Sequence, residues 1–278
     1  MKSPLKYFGG KSQISGWLLS NFPAEYKTYG EVFAGGLSVL FSANHKNKIE
    51  VANDIWGELT NFYRVLQSET LYREFQRLCD LTPRSQVEFE AANSEILRNM
   101  ETFGDNILSA WHFFIRNRMS FSGTGQSYAP TTSRTRRGMN ENVSSWLSAV
   151  DSLPEFHERL RMVEIRKMDF RDFIKEYDSP DTFFYLDPPY LAETRSAGKY
   201  DHEISDGDHI ALLGILTRIE GKFLLSGYPS DLYSRWAEAY GFFSESLEVT
   251  KSSSTKKTEK PKGVETIWRN YDRVATSL

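Results

Sequence analysis

Phe183-Phe184-Tyr185-Leu186-Asp187-Pro188-Pro189-Tyr190 joins a short apolar run to an acid, two consecutive prolines and a tyrosine. A continuous apolar run of this length, bounded by chain-breaking residues, reads as a strand buried on both faces of a parallel sheet. Such a strand delivers Asp187 to the carboxyl end of the sheet, where open α/β sheets bind their ligands. The prolines fix two φ angles and remove two N–H donors. What is left is acceptor-rich: the Asp187 carboxylate and the Pro188 carbonyl, with Tyr190 as an aromatic plane beside them. Two acceptors of this kind suit a planar, weakly nucleophilic amine. By gripping its two hydrogens they favour a tetrahedral nitrogen and free its lone pair.

Other apolar runs extend the strand set outward from this one. Residues 29–33, 49–53, 162–168 and 222–226 read as strands, and 242–249 with 264–270 as an antiparallel hairpin. Helical patterns at 13–22, 37–44 and 206–219 alternate with them. The alternation predicts an α/β fold with a mostly parallel, doubly wound sheet. From 57 to 160 the rhythm breaks into a mainly helical stretch rich in aromatics, read as an insertion into that sheet. The expected division is therefore a sheet domain of residues 1–56 and 161–278, with an insertion of 57–160. The run KSSSTKKTEKPK at 251–262 reads as a mobile loop.

The 278 residues carry a net charge of −3, so nucleic-acid binding would have to come from local patches. A single cysteine, Cys79, rules out an intrachain disulfide and reads as a buried apolar residue. None of the five histidines has zinc-type spacing, so no metal is expected. No apolar stretch reaches membrane-spanning length and the first residues hold no signal core. A cytoplasmic, membrane-free protein is the expectation, as a monomer or weak dimer.

Beyond the Asp-Pro-Pro-Tyr motif, several segments resemble the Dam-type DNA adenine-N6 methyltransferases, including phage and restriction-modification members, in that family's order. Lys6-Tyr7-Phe8-Gly9-Gly10-Lys11 is similar to its aromatic-x-Gly-Gly-Lys segment. Glu31-Val32-Phe33-Ala34-Gly35-Gly36-Leu37-Ser38 is similar to its glycine-rich turn, with Val32 where Pro is frequent and Leu37 where a second spaced glycine is frequent. Phe113-Phe114-Ile115-Arg116-Asn117-Arg118-Met119-Ser120-Phe121-Ser122-Gly123 is similar to its Phe-Phe-x-x-Asn-Arg-x-x-Phe-x-Gly segment, and Val264 to Asn270 to its final strand.

The resemblance implies a Rossmann-like methyltransferase sheet with a mainly helical DNA-recognition insertion. It implies transfer of a methyl group from S-adenosyl-L-methionine to a flipped-out adenine in double-stranded DNA. Catalysis falls to Asp187, Pro188, Pro189 and Tyr190. The cofactor falls to Tyr7, Gly9, Gly10, Lys11, Phe33, Gly35, Gly36, Leu37, Ser38, Asp54, Ile55, Asp169, Phe170 and Asp187. Asp54, about twenty residues past the glycine turn, stands where an acid accepts hydrogen bonds from ribose hydroxyls.

DNA contact is assigned to Arg116, Asn117, Arg118, Ser120, Phe121, Arg134, Arg136 and Arg137. From 106 to 140 there is no Asp or Glu, and all five of these arginines lie within that gap. Three other functions share parts of the pattern. A cytosine-N4 enzyme usually has Ser at the Asp187 position. An RNA or protein methyltransferase can share the fold, and those that modify a glutamine side chain commonly have Asn there. A catalytically silent DNA-binding regulator would not need Asp-Pro-Pro-Tyr intact.

Overall fold

The computed structural model describes residues 1–7, 9–44, 46–94, 106–131, 133–194, 203–250 and 262–272. Seven strands build the main sheet: β1 (Thr28–Glu31), β2 (Ile49–Asn53), β5 (Glu164–Arg166), β6 (Thr182–Leu186), β7 (Lys222–Gly227), β8 (Phe243–Thr250) and β9 (Lys262–Arg269). Their order is β5-β2-β1-β6-β7-β9-β8. A separate two-stranded ribbon pairs β3 (Thr135–Arg136) with β4 (Met139–Asn140). The expected α/β, Rossmann-like class holds. The strand predicted at 162–168 is reduced to three residues. The chain divides into two compact units: Met1–Gly16, Ala34–Asn44 and Glu50–Lys167 form one, and Trp17–Phe33, His45–Ile49 and Met168–Leu278 form the other.

In the second unit all five residues of β6 are buried, as the unbroken apolar run requires. β6 pairs in parallel with β1 and with β7. Gly30 on β1 leaves room for a neighbouring ring: a Cβ there would lie 3.0 Å from Phe184 Cδ1. β7 pairs antiparallel with β9, and β9 with β8, which gives the expected late hairpin. The helices α9 (Phe170–Tyr177), α10 (Asp206–Leu216) and α11 (Asp231–Tyr240) belong to this unit. Each starts on a side-chain cap, from Asp169, Ser205 and Ser230 respectively. Ser205 and Asp208 close a full capping box. α1 (Ser15–Ser20) spans the junction of the two segments and is shorter than the pattern at 13–22 suggested.

The first unit contains α2 (Ser38–Ser42), α3 (Gly57–Gln67), α4 (Glu69–Leu81), α5 (Gln86–Ala92), α6 (Ile107–Met119), α7 (Glu141–Asp151) and α8 (Leu153–Leu160). β2 and β5 pair in parallel. Aromatic rings fill its helical core. Phe62 contacts Phe75, Phe113 and Phe114 at centroid distances of 5.8, 5.6 and 5.7 Å, and Trp146 packs on Phe114 at 5.4 Å. Cys79 is buried on α4, as expected of an inert thiol. The lysine-rich run at 251–262 lies, but for its last residue, outside the described residues.

Candidate active site

In the first unit the chain leaves β2 at Asn53, and Asp54 follows directly. Its carboxylate accepts from the Gly35 amide at 3.0 Å through Oδ2 and from the Trp56 amide at 3.0 Å through Oδ1. The Tyr63 hydroxyl donates to the Gly35 carbonyl at 2.6 Å. These bonds pin both sides of the glycine turn. The Tyr7 ring lies against it so closely that a Cβ at Gly35 would come within 2.9 Å of Tyr7 Cε1, and one at Gly36 within 2.9 Å of Tyr7 Cβ. The Gly-Gly pair therefore lets the amino-terminal aromatic segment lie directly on the turn. Gly10 N–H donates to the Tyr7 carbonyl at 3.1 Å, and Lys11, nearly buried, donates to the Gly9 carbonyl at 3.1 Å.

Leu37, where the resembling family often has glycine, adopts a left-handed backbone with φ 51° and ψ 30°. For a residue with a Cβ this costs about 1–2 kcal/mol. Full burial of the leucine side chain returns about 1.5–3 kcal/mol. The departure in sequence keeps the glycine-like backbone and offsets it with packing. Ser38 opens α2 and is nearly buried, whereas Ile55 is half exposed.

In the second unit Asp169 caps α9, accepting from the Arg171 amide at 2.8 Å. The Arg171 guanidinium reaches both Asp169 oxygens, at 3.1 and 3.0 Å, and also pairs with Asp208. The Asp208 carboxyl is pushed down to about 2 by the Ser205 hydroxyl first and by Arg171 second. The same guanidinium lies 4.3 Å from the centre of the Phe170 ring, and Phe33 packs on that ring at 5.7 Å. Asp169 and Phe170 are therefore held in one orientation from several sides.

Asp187 stands immediately after β6. Its Oδ1 accepts from Ser226 Oγ of β7 at 3.1 Å, and Ser226 Oγ lies 3.1 Å from the Tyr185 hydroxyl. Carboxylate and carbonyl oxygens only accept, so the one Ser226 proton serves Asp187 and, at 3.3 Å, the Leu186 carbonyl, while Ser226 takes a proton from Tyr185. Burial first, and Asp187 second, push the Tyr185 phenol well above its usual range, so it remains a donor. Tyr190 is buried, and its hydroxyl donates to Glu265 Oε1 of β9 at 2.5 Å. The Tyr228 ring, just past β7, lies 4.6 Å from the Tyr190 ring at 59°. A cavity of about 550 Å³ is lined by Tyr228 together with Glu193, Thr194, Pro229, Ser230 and Val264. Ser226, Tyr228 and Glu265 escaped the sequence reading. The only signal was that β7 ends in Ser-Gly-Tyr-Pro at the same sheet edge as β6.

The residues assigned to DNA contact separate into two groups. Arg116 is buried, pairs with Glu58 and donates to the Ala92 carbonyl at 3.0 Å. Asn117, also buried, exchanges hydrogen bonds with the Lys6 backbone, both at 2.8 Å, and donates to the Gly123 carbonyl at 3.2 Å. Arg118 donates to the Ser145 carbonyl and hydroxyl, both at 3.0 Å, and burial lowers its pKa to about 10. Ser120 is fully buried and accepts from the Gly125 amide at 2.8 Å. By contrast Phe121 is 61% exposed, and Arg134, Arg136 and Arg137 are exposed on and around the β3–β4 ribbon. Arg137 and Gly138 carry φ of 56° and 74°, the two-residue turn that matches a ribbon's twist. The Phe113 to Gly123 segment thus largely builds the unit, tying α6 to the chain's first residues.

In the first unit the Asp54 carboxylate stands beside half-exposed Ile55, and in the second the Asp169 carboxylate stands beside the Phe170 ring; each is an acceptor with apolar surface, of the kind that can take hydroxyl or amine groups of a nucleoside. Among the described residues no group of His, Cys, Asp and Glu is arranged to hold a metal ion, and no helix is long and apolar enough to cross a membrane.

β6, paired in parallel on both sides, carries Asp-Pro-Pro-Tyr at its carboxyl end, and the class of protein is set by the family profile that the chain matches. The profile described as D12 class N6 adenine-specific DNA methyltransferase matches residues 7–252, and the chain belongs to that family. It is 24% identical over 304 residues to "Modification methylase StsI" of Streptococcus sanguinis, covering 100% of this chain and 44% of that protein. It is 26% identical over 260 residues to "Type II methyltransferase M.MjaIII" of Methanocaldococcus jannaschii, covering 86% and 89%. With "Type II methyltransferase M.FokI" of Planomicrobium okeanokoites the identity is 25% over 289 residues, covering 98% and 43%. The chain spans less than half the length of the first and third of these relatives.

Proposed function

We propose that this chain transfers a methyl group from S-adenosylmethionine to the N6 amine of an adenine in a specific duplex DNA sequence, the base being turned out of the helix. The observation that carries this is Asp187 at the end of β6, oriented by Ser226, with the Tyr190 and Tyr228 rings beside it. When bound, S-adenosylmethionine supplies a methyl group already activated on a sulfonium. Tyr7, Gly9, Gly10, Lys11, Gly35, Gly36, Leu37 and Ser38 are its candidate cradle. Asp54 and Ile55 are assigned to the ribose side, and Phe33, Asp169 and Phe170 to the adenine.

What remains for the protein is alignment and charge stabilisation. Asp187 and the Pro188 carbonyl accept the two amine hydrogens, and Asp187 offsets the positive charge that grows on nitrogen. Pro189 holds the turn that presents them. Tyr190 and Tyr228 give the flipped base aromatic surface, which compensates part of the few kcal/mol lost on unstacking.

Residues 57–160 are the proposed target-recognition region. Within it we assign phosphate or base contact to Phe121, Arg134, Arg136 and Arg137, and a supporting role to Arg116, Asn117, Arg118 and Ser120. The type II modification names of the relatives support a modification role in a restriction system.

Asp187→Ala tests the catalytic assignment. Its methyl-transfer rate on unmethylated DNA should fall by about 100- to 1000-fold. Because Asp187 is also assigned to the cofactor, the variant's calorimetric affinity for S-adenosylmethionine should fall too, but by no more than about tenfold, far less than the rate. Retained turnover would remove Asp187 from the reaction.

A further inference from the structure

We infer that Glu265 is a positioning residue for methyl transfer: through the Tyr190 hydroxyl it fixes the plane of the ring that receives the target base. The inference rests on the methyltransferase reading above and extends it to a residue of the last strand.

Burial makes the first point. Glu265 is 4% exposed on β9, and Tyr190 is 7% exposed. A carboxyl group taken out of water costs several kcal/mol unless it is hydrogen-bonded. An apolar residue would fill the same position on β9 without that cost. The acid does make a specific contact, accepting from Tyr190 Oη at 2.5 Å.

Geometry makes the second. Pro188 and Pro189 constrain the backbone leading into Tyr190, but a tyrosine ring keeps two torsions of its own. Two contacts bear on them. The hydroxyl is tied to Glu265. The Tyr228 ring lies 4.6 Å away at 59°. The register of β7 on β9 pairs Gly227 with Thr266, so Glu265 and Tyr228, just past β7, come from neighbouring positions of one strand pair. A ring held at its far end presents one face in one orientation. A ring released there can rotate, and misplacement of about 1 Å at a reacting centre costs up to about 100-fold in rate.

The test is a double-mutant cycle on full-length protein. Single-turnover methylation, with enzyme in excess, is followed by label from methyl-tritiated S-adenosylmethionine on unmethylated genomic DNA. Tyr190→Phe and Glu265→Ala should each lower the rate by about tenfold, and the double variant should fall no further. Affinity for S-adenosylmethionine should stay within about threefold in each. Glu265→Gln, whose amide oxygen still accepts, should restore the rate to within about threefold of wild type.

A wild-type rate in Tyr190→Phe would overturn the inference. So would a full additional loss when Glu265→Ala is placed on Tyr190→Phe, because a merely structural role adds independently. A rate in Glu265→Gln as low as that of Tyr190→Phe would also overturn it. If Glu265→Ala does not fold, Tyr190→Phe and Glu265→Gln still decide. Wild-type protein that labels no adenine would sink the methyltransferase reading itself. Labelled adenine with additive losses would sink only this assignment.

Discussion

Asp187 and Gly123 show two ways in which one residue can matter to this protein. Asp187 offers a functional group at the end of a strand, and Ser226 and Tyr185 orient it through a chain of hydroxyls. Gly123 offers space. Its φ of +78° is glycine's region, and a Cβ there would lie 1.9 Å from the Lys6 carbonyl oxygen. Gly123→Ala should therefore destabilise the protein by about 2–4 kcal/mol, the sum of left-handed strain and forced repacking. Urea unfolding followed by circular dichroism measures this, and an unchanged midpoint would show that the Lys6 segment moves aside freely. At this scale Asp187 stands out in the sequence because acid, prolines and tyrosine are contiguous. Glu265 does not, because its partner Tyr190 lies 75 residues away and nothing in Val-Glu-Thr-Ile marks an acid that faces inward. That Arg116 and Arg118 face inward was not legible for the same reason. An arginine looks alike in sequence whether it faces phosphate or Glu58.

Among the elements, the β3–β4 ribbon and the end of α6 divide the arginines between exposure and structure. Arg134, Arg136 and Arg137 gather on a ribbon whose turn residues hold positive φ, while Arg116 and Arg118 brace α6 from within. Exposed guanidinium groups that contact phosphate release counterions on binding. Arg136→Ala should weaken DNA binding across sequences and reduce the slope of log K against log salt by about 1. Fluorescence anisotropy over a salt series reads this directly, and an unchanged slope would take Arg136 out of the interface. The strands were readable from their apolar runs, and the late hairpin from its alternation. The helical pattern at 37–44 shrank to Ser38–Ser42 because Leu37 turns left-handed at its start and Ala43 turns extended at its end. The left-handed conformation has no sequence signal in a leucine.

For the molecule as a whole, the proposed chemistry rests on the family membership. Asp54 follows β2 in the first unit, and in the second Asp169 precedes α9 and Asp187 follows β6. Each is already held by protein donors: the Gly35 amide, Arg171 and Ser226. Sites whose acceptors are pre-oriented lose little on binding and reacting. The account stands or falls on which atom of which base is modified. The most direct measurement is long-read modification mapping of DNA from cells that lack adenine methylation and express either the wild-type chain or Asp187→Ala. N6-methyladenine in one recurring sequence context with wild type, absent with Asp187→Ala, is the predicted result. Methylation on cytosine, or unmodified DNA in both strains, would contradict it.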